Sequence, residues 1–305
     1  MLYRSLIFVP GNSTRFVGKA KTLKADIVCF DLEDSVPVNE KDTARKIIAE
    51  ALKQRTQYNS NIYVRINSLE SDLASRDLAD VIQNGIDGIV LPKVNDESQI
   101  KNLDYQVSRL EDDQKMIKES IKLIPSIESA KGVVNAYSIA RSSRRVNALV
   151  FGIFDFFYDM RLDYIENDNL DQYVYARAKV PVDARAAGVE SIDGIWQNVD
   201  DIEGLTKDAM VAKRLGYSGK SIIHPAHIEP VHMVFVPTRS QIKWATMVVE
   251  ALHEAMERGE GHGAVKLEGK MIDAVHYKQA KAILDSINYP KSKIDESSGS
   301  YTSRR

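Results

Sequence analysis

Ala25-Asp26-Ile27-Val28-Cys29-Phe30-Asp31-Leu32-Glu33-Asp34 is an apolar, β-rich run that ends abruptly in acids. A strand with one wet face alternates apolar and polar residues; a run apolar throughout is covered on both faces, as parallel strands are. Working outward, similar runs occupy residues 6–9, 62–66, 88–94, 123–127, 148–154, 191–195 and 220–224, which with 27–32 makes eight. Helical stretches fit between them, at 42–53 after the second run and 73–83 after the third. Strands alternating with helices argue for a parallel sheet, and eight such units close a (β/α)8 TIM barrel. The run at 191–195 is weak, which leaves two doubly wound domains as the structural alternative.

A chain of 305 residues accommodates one barrel and an appendage. Its formal charge of −2 gives no reason to expect a nucleic-acid partner. The single cysteine, Cys29, forms no internal disulfide and reads as a buried strand residue, which suits a reducing compartment. No apolar run approaches the roughly 18 residues needed to span a bilayer. The opening residues run straight into Pro10-Gly11 and read as a first strand, not a signal peptide, so the expected location is cytoplasmic, the alternative being a mature form whose targeting segment has been removed.

Beyond the eighth run, Ile242, Ala245, Val249, Leu252 and Met256 recur at helical spacing and build one apolar stripe. Gly259-Glu260-Gly261-His262-Gly263 reads as a hinge, followed by 264–273 and a helix over 274–287. The expected parts are a catalytic barrel at 1–258, an extension at 259–290 and a disordered polar tail at 291–305.

Barrels of this kind place their chemistry at the C-terminal ends of the strands. Those ends carry Asp31-Leu32-Glu33-Asp34, Arg65, Lys93, Glu128, Asp155, Asp193 and His224, all expected to point into one mouth. Glu128 and Asp155, on neighbouring strands, suit Mg²⁺, which takes one or two protein carboxylates and keeps waters or substrate oxygens elsewhere. The plainer alternative is that each caps the following helix. Arg65 could fork onto a substrate carboxylate or carbonyl, or pair with Glu33 or Asp34. His224, His227 and His232 lack the partners of a zinc set. Dinucleotide, Walker and nucleophile-elbow motifs are missing from the sequence. The Pro10-Gly11-Asn12 turn, with Arg15 and Lys19 behind it, offers an anion site at a helix start.

In order along the chain, Arg4-Ser5-Leu6-Ile7-Phe8-Val9-Pro10-Gly11, the run 25–36, Val64-Arg65-Ile66-Asn67, Leu91-Pro92-Lys93, Ile127-Glu128-Ser129-Ala130, Lys220-Ser221-Ile222-Ile223-His224-Pro225 and the stretch 263–273 resemble the citrate lyase β-subunits and malyl-CoA or citramalyl-CoA lyases of the HpcH/HpaI aldolase superfamily. The resemblance implies a Mg²⁺-dependent barrel, a homotrimer or hexamer, that makes or breaks a carbon–carbon bond in an acyl-CoA, with a small oxo-acid as co-substrate or product. Glu128 and Asp155 match its metal ligands. Arg65, Glu33 and Asp34 match residues around the metal, and Asp273 an aspartate delivered by the extension, acting as a lid, to a neighbouring subunit's site. Arg4, Pro10, Gly11, Arg15, Lys19, Arg65 and Lys93 are then expected against substrate and CoA.

Three positions depart from the pattern: Phe154 where relatives carry a second acid, His227 where glutamine is commoner, and Val275 where proline is frequent. The expected reaction splits malyl-CoA or citramalyl-CoA into acetyl-CoA and glyoxylate or pyruvate. The alternatives are a malyl-CoA-type thioesterase, a citrate lyase β-subunit acting on a citryl-carrier protein, and a non-catalytic acyl-CoA or oxo-acid binder.

Overall fold

The computed structural model describes residues 3–162, 173–257 and 264–287. The expected hinge at 259–263 and tail at 291–305 lie outside them. The strands are β1 (Ser5–Pro10), β2 (Ile27–Asp31), β3 (Asn61–Arg65), β4 (Gly88–Leu91), β5 (Lys122–Ile127), β6 (Ala148–Phe151), β7 (Glu190–Asp193) and β8 (Gly219–Ile222). Each pairs with the next in parallel, and β8 returns to β1 with Ser221 beside Leu6. That closure makes the sheet a barrel and removes the doubly wound alternative. The weak seventh run is a true strand held on both sides, by β6 and β8.

The helices of this unit are α1 (Thr14–Lys19), α2 (Lys41–Leu52), α3 (Ala74–Val81), α4 (Glu97–Asp113), α5 (Ala130–Arg141), α6 (Ile153–Asp159), α7 (Val174–Ala187), α8 (Ile202–Leu215) and α9 (Ile228–Phe235). Period-two alternation sorts the strand side chains into two cores. Leu6, Ile27, Cys29, Tyr63, Val90, Ile124, Ala148, Val150 and Ile192 fill the barrel interior. Their neighbours Ile7, Val28, Phe30, Val64, Ile89 and Leu149 face the helical layer. The alternation carries on upward, so Asp31, two residues beyond Cys29, and Arg65, two beyond Tyr63, follow the interior set at the top of the barrel. The β2–β3 register sets Asp31 directly beside Arg65.

The chain divides into two compact units between Phe235 and Val236, ahead of the boundary expected at 258. The second unit holds α10 (Arg239–Glu257), the antiparallel hairpin β9 (Ala264–Leu267) and β10 (Lys270–Asp273), and α11 (Ala274–Ile287). The stripe Ala245, Val248 and Leu252 of α10 packs with Ile272 and Ala280, which is why this helix belongs with the extension. The hairpin turns on Glu268 and Gly269 at φ +46° and +81°, a two-residue loop whose positive φ values match the twist of the paired strands. Among the described residues no helix is long and apolar enough to cross a membrane.

Candidate active site

Asp31 and Arg65 anchor the mouth. Arg65 donates through Nε to Asp31 Oδ1 at 2.6 Å and through Nη2 to Oδ2 at 2.7 Å, a fork on a carboxylate. Burial pushes the Asp31 carboxyl up, but Arg65, helped by the Ser35 and Glu33 N–H groups, holds it below the usual range. The guanidinium also lies 4.7 Å from the centre of the Phe8 ring. With Nε and Nη2 engaged, Nη1 is the part of Arg65 turned to Glu33, at 3.1 Å, and Asp34, at 3.7 Å.

Lys93 holds the other side of Glu33, its Nζ 2.6 Å from Oε1 and 3.8 Å from Asp34 Oδ1. Its backbone has φ +57°, a left-handed value that costs a side-chain-bearing residue strain. That turn lets the Lys93 N–H donate to Glu128 Oε1 while Ser126 Oγ donates to Oε2 at 2.9 Å. Glu128 does not cap α5, because Ser129 does so through a bond from the Gly132 N–H. Asp155 does stand in the first turn of α6.

Three carboxylates of this mouth, Glu128, Asp155 and Glu33, resist ionisation. Burial first, then Asp155 and Glu33, push Glu128 up to about 8. Burial and Asp34 raise Asp155, and burial raises Glu33 against the pull of Arg65 and Lys93. Gly152 makes the crowding possible: a Cβ there would lie 2.3 Å from Glu128 Oε2. Among the described residues no three His, Cys, Asp or Glu side chains gather as a metal cluster. Glu128 and Asp155 are two hard oxygen donors, the share Mg²⁺ commonly takes from protein. A cation there would offset the burial and the repulsion from Asp155 and Glu33 that raise Glu128, so the residues fit the ion. The sequence also left zinc aside at its three clustered histidines, and their surroundings differ. His227 is buried against the Val199 carbonyl, His232 bonds Ser5, and His224 is exposed.

Beneath the acidic loop lies a support that sequence reading missed. Lys41 Nζ, buried, donates to the carbonyls of Leu32 and Glu33 at 2.7 and 2.9 Å and to Asn67 Oδ1 at 2.7 Å. Asn67 in turn is held by Asp77, which Arg45 pairs at 2.8 Å. A lysine at the first position of α2 carries no signal of this; only its three acceptors reveal it.

Two expectations are corrected. Arg4 precedes β1 at the opposite, N-terminal end of the barrel, roughly 20 Å of strand below the mouth, and forks onto Asp26 at 2.9 and 2.7 Å. It is spent on structure and does not reach substrate at the mouth. Asp193 faces outward as well: it is buried with Arg177 at 2.6 Å and Lys220 at 2.7 Å, in a cluster completed by Asp208. Pro10 ends β1 at the mouth and Gly11 follows it, where it must be glycine, since a Cβ would lie 2.7 Å from the Asp31 carbonyl. Arg15 and Lys19 are exposed on α1 just beyond. Asp273 ends β10 in the second unit, half-exposed, with Oδ1 accepting from the Val275 and His276 N–H groups and paired with His276 Nδ1 at 2.7 Å.

A closed parallel barrel that gathers buried acids, an arginine and a lysine at its C-terminal mouth has the form of a barrel enzyme. The chain belongs to the HpcH/HpaI aldolase/citrate lyase family, whose profile matches residues 4–225, and a C–C bond lyase of the TIM-barrel fold matches residues 163–289. It is thus a carbon–carbon lyase by family. It is 34% identical to the citrate lyase subunit beta of Haemophilus influenzae over 93% of this chain and 96% of that one. To the mitochondrial citramalyl-CoA lyase of Rattus norvegicus it is 32% identical over 92% of this chain and 85% of that one. Among solved structures, CitE from Mycobacterium tuberculosis in complex with magnesium, acetoacetate and coenzyme A shares the fold at a TM-score of 0.77 and 23% identity, covering 94% of this chain and 98% of that one.

Proposed function

We propose that the chain is a Mg²⁺-dependent lyase that cleaves or forms a 3-hydroxyacyl-CoA such as malyl-CoA or citramalyl-CoA, giving acetyl-CoA and glyoxylate or pyruvate. The observation that carries this reading is the burial of Glu128 beside Asp155 and Glu33, which raises it to about 8. The magnesium, acetoacetate and coenzyme A bound by the M. tuberculosis relative support it. Glu128 and Asp155 would hold the ion, with Glu33 and Asp34 beside it. When bound, Mg²⁺ supplies Lewis-acid polarisation of substrate oxygens.

The chain's own groups carry the remaining work. Arg65, kept charged and oriented by Asp31, offers Nη1 to the oxo-acid oxygens. Lys93 and the α1 cations Arg15 and Lys19 add positive charge for the anionic substrate and the CoA phosphates, with Pro10 and Gly11 shaping the turn they approach. Asp273, brought over a neighbouring subunit's barrel in a homotrimer or hexamer, moves the proton at the methyl carbon of the acetyl fragment. On cleavage the hydroxyl proton leaves, the bonding pair passes to the acetyl fragment, and that fragment takes up a proton at carbon.

The test is a Mg²⁺-dependent assay of purified protein with malyl-CoA and citramalyl-CoA. Oxo-acid released together with acetyl-CoA is the expected result. Free CoA with intact malate or citramalate would make the chain a thioesterase instead. A second reading, a β-subunit acting on a citryl-carrier protein, is favoured by the 34% identity to citrate lyase subunit beta. Turnover of carrier-bound citryl thioester alone, with neither CoA ester consumed, would select it.

A further inference from the structure

In the extension, Asp273 is paired with a histidine, His276, that has no part in the proposed reaction. Asp273 closes β10 and directly precedes α11, and its two carboxylate oxygens are not equivalent. Oδ1 faces the Val275 N–H at 3.0 Å, the His276 N–H at 3.3 Å and His276 Nδ1 at 2.7 Å. Among the described residues Oδ2 has no hydrogen-bond partner. His276 Nδ1 also lies 3.2 Å from the Asp273 N–H, so the ring sits across both ends of the residue. The pair is about two-fifths exposed, which leaves it reachable from outside the second unit. The hydrogen bond from His276 and the two N–H bonds hold the Asp273 carboxyl below its ordinary value, which agrees with this arrangement.

We propose that His276 is a positioning residue for Asp273: it fixes Oδ1, so that Oδ2 alone is presented for proton transfer. The proposal rests on the reading of Asp273 as the group that moves the proton at the acetyl carbon. A carboxylate on a lid must aim one lone pair at a carbon within a few tenths of an ångström, and an aspartate free to rotate about χ2 would share its two oxygens between productive and idle orientations. The two backbone N–H groups and, in the tautomer with Nδ1 protonated, the imidazole hold that one oxygen and remove the freedom. A simple helix cap would need only the two backbone bonds; the imidazole adds a third, from a side chain rigid enough to set the carboxylate plane. The proton balance is unaltered, because His276 holds the carboxylate and the proton passes between Oδ2 and the acetyl carbon.

The experiment compares the full-length protein with Asp273→Asn, His276→Ala and His276→Asn. It reads kcat and KM for the acyl-CoA, and exchange of the acetyl-CoA methyl hydrogens with solvent deuterium in the presence of Mg²⁺ and oxo-acid. His276→Ala is expected to lower kcat and exchange together by about 100-fold, the cost of a misplaced reacting group, with KM nearly unchanged. His276→Asn, whose amide reaches the place of Nδ1, is expected to recover most of the loss. Full kcat in His276→Ala beside an inactive Asp273→Asn would overturn the proposal. Equal loss in both His276 variants with raised KM would also overturn it, leaving a helix cap and nothing more. Activity retained by Asp273→Asn would overturn the underlying assignment of Asp273 itself, whatever the His276 variants do.

Discussion

Glu128 concentrates the chemistry of the mouth in one side chain. Its carboxyl is raised to about 8, so near pH 7 it is largely protonated until a cation takes the proton's place. Mg²⁺ binding should therefore release close to one proton at pH 7, and affinity should climb with pH and level off above about 8. Calorimetry in buffers of different ionisation enthalpy checks this; binding without proton release would refute it. Without the cation the sign is the reverse of a salt-bridged acid: the raised group favours folding most below its unfolded value, and that contribution fades as pH rises through about 8. The space for this carboxylate comes from Gly152. Gly152→Ala would set a methyl 2.3 Å from Oε2, so we expect folded protein that has lost Mg²⁺ affinity and at least about 100-fold in kcat. Wild-type turnover in that variant would contradict the geometry. The acid at 128 and the arginine at 65 could be picked out from their places after apolar runs. Asp31 as the fork beneath Arg65, Lys41 as the support of the loop, and His276 beside Asp273 could not, since each acquires its role from a partner distant in sequence or from one orientation of a ring.

At the level of elements, buried ion pairs lock helices to strands of the barrel. Arg177 of α7 and Lys220 of β8 share Asp193 of β7 and Asp208 of α8, all within 2.5–2.8 Å. Removing one member strands the others in low dielectric, and we expect Asp193→Ala to cost about 3–5 kcal/mol. Denaturant unfolding measures it; a loss under 1 kcal/mol would show that the cluster relaxes or admits water. The N-terminal end of the barrel carries a second such device. His232 bonds Ser5 Oγ at 2.7 Å, and burial drops its pKa to about 4 despite Asp26. The unfolded chain takes up the proton near pH 6.5 and the native state only near 4, so stability is lost as pH falls across that window, by about 3 kcal/mol at most. His232→Gln should flatten this part of the stability profile, and an unchanged slope would place the acid sensitivity elsewhere. The element order was legible because parallel strands covered on both faces announce themselves as apolar runs. The assignment of α10 to the second unit was not, since an apolar stripe states that a helix is covered and not by what.

For the whole molecule, the division after Phe235 makes the barrel and the Asp273-bearing unit separate parts of one chain. If a neighbouring subunit supplies Asp273, then mixing Asp273→Asn with Glu128→Ala protein should restore activity after subunit exchange, because some sites then receive one intact copy of each residue. Mixtures as inactive as the parents would mean that each chain completes its own site. Sequence alone determined the alternation of strands with helices and the charged residues that end the strands, because periodicity and the residues that end each apolar run are local properties of the chain; closure into a barrel came from the pairing of β8 with β1. Tertiary structure decided the rest. Whether a strand-end charge enters the mouth, as Arg65 does, or turns into the helical layer, as Asp193 does, depends on the phase of the two-residue alternation where the strand stops. Likewise Arg4 was removed from the site by the end of β1 on which it stands, a matter of direction through the barrel that no local pattern contains.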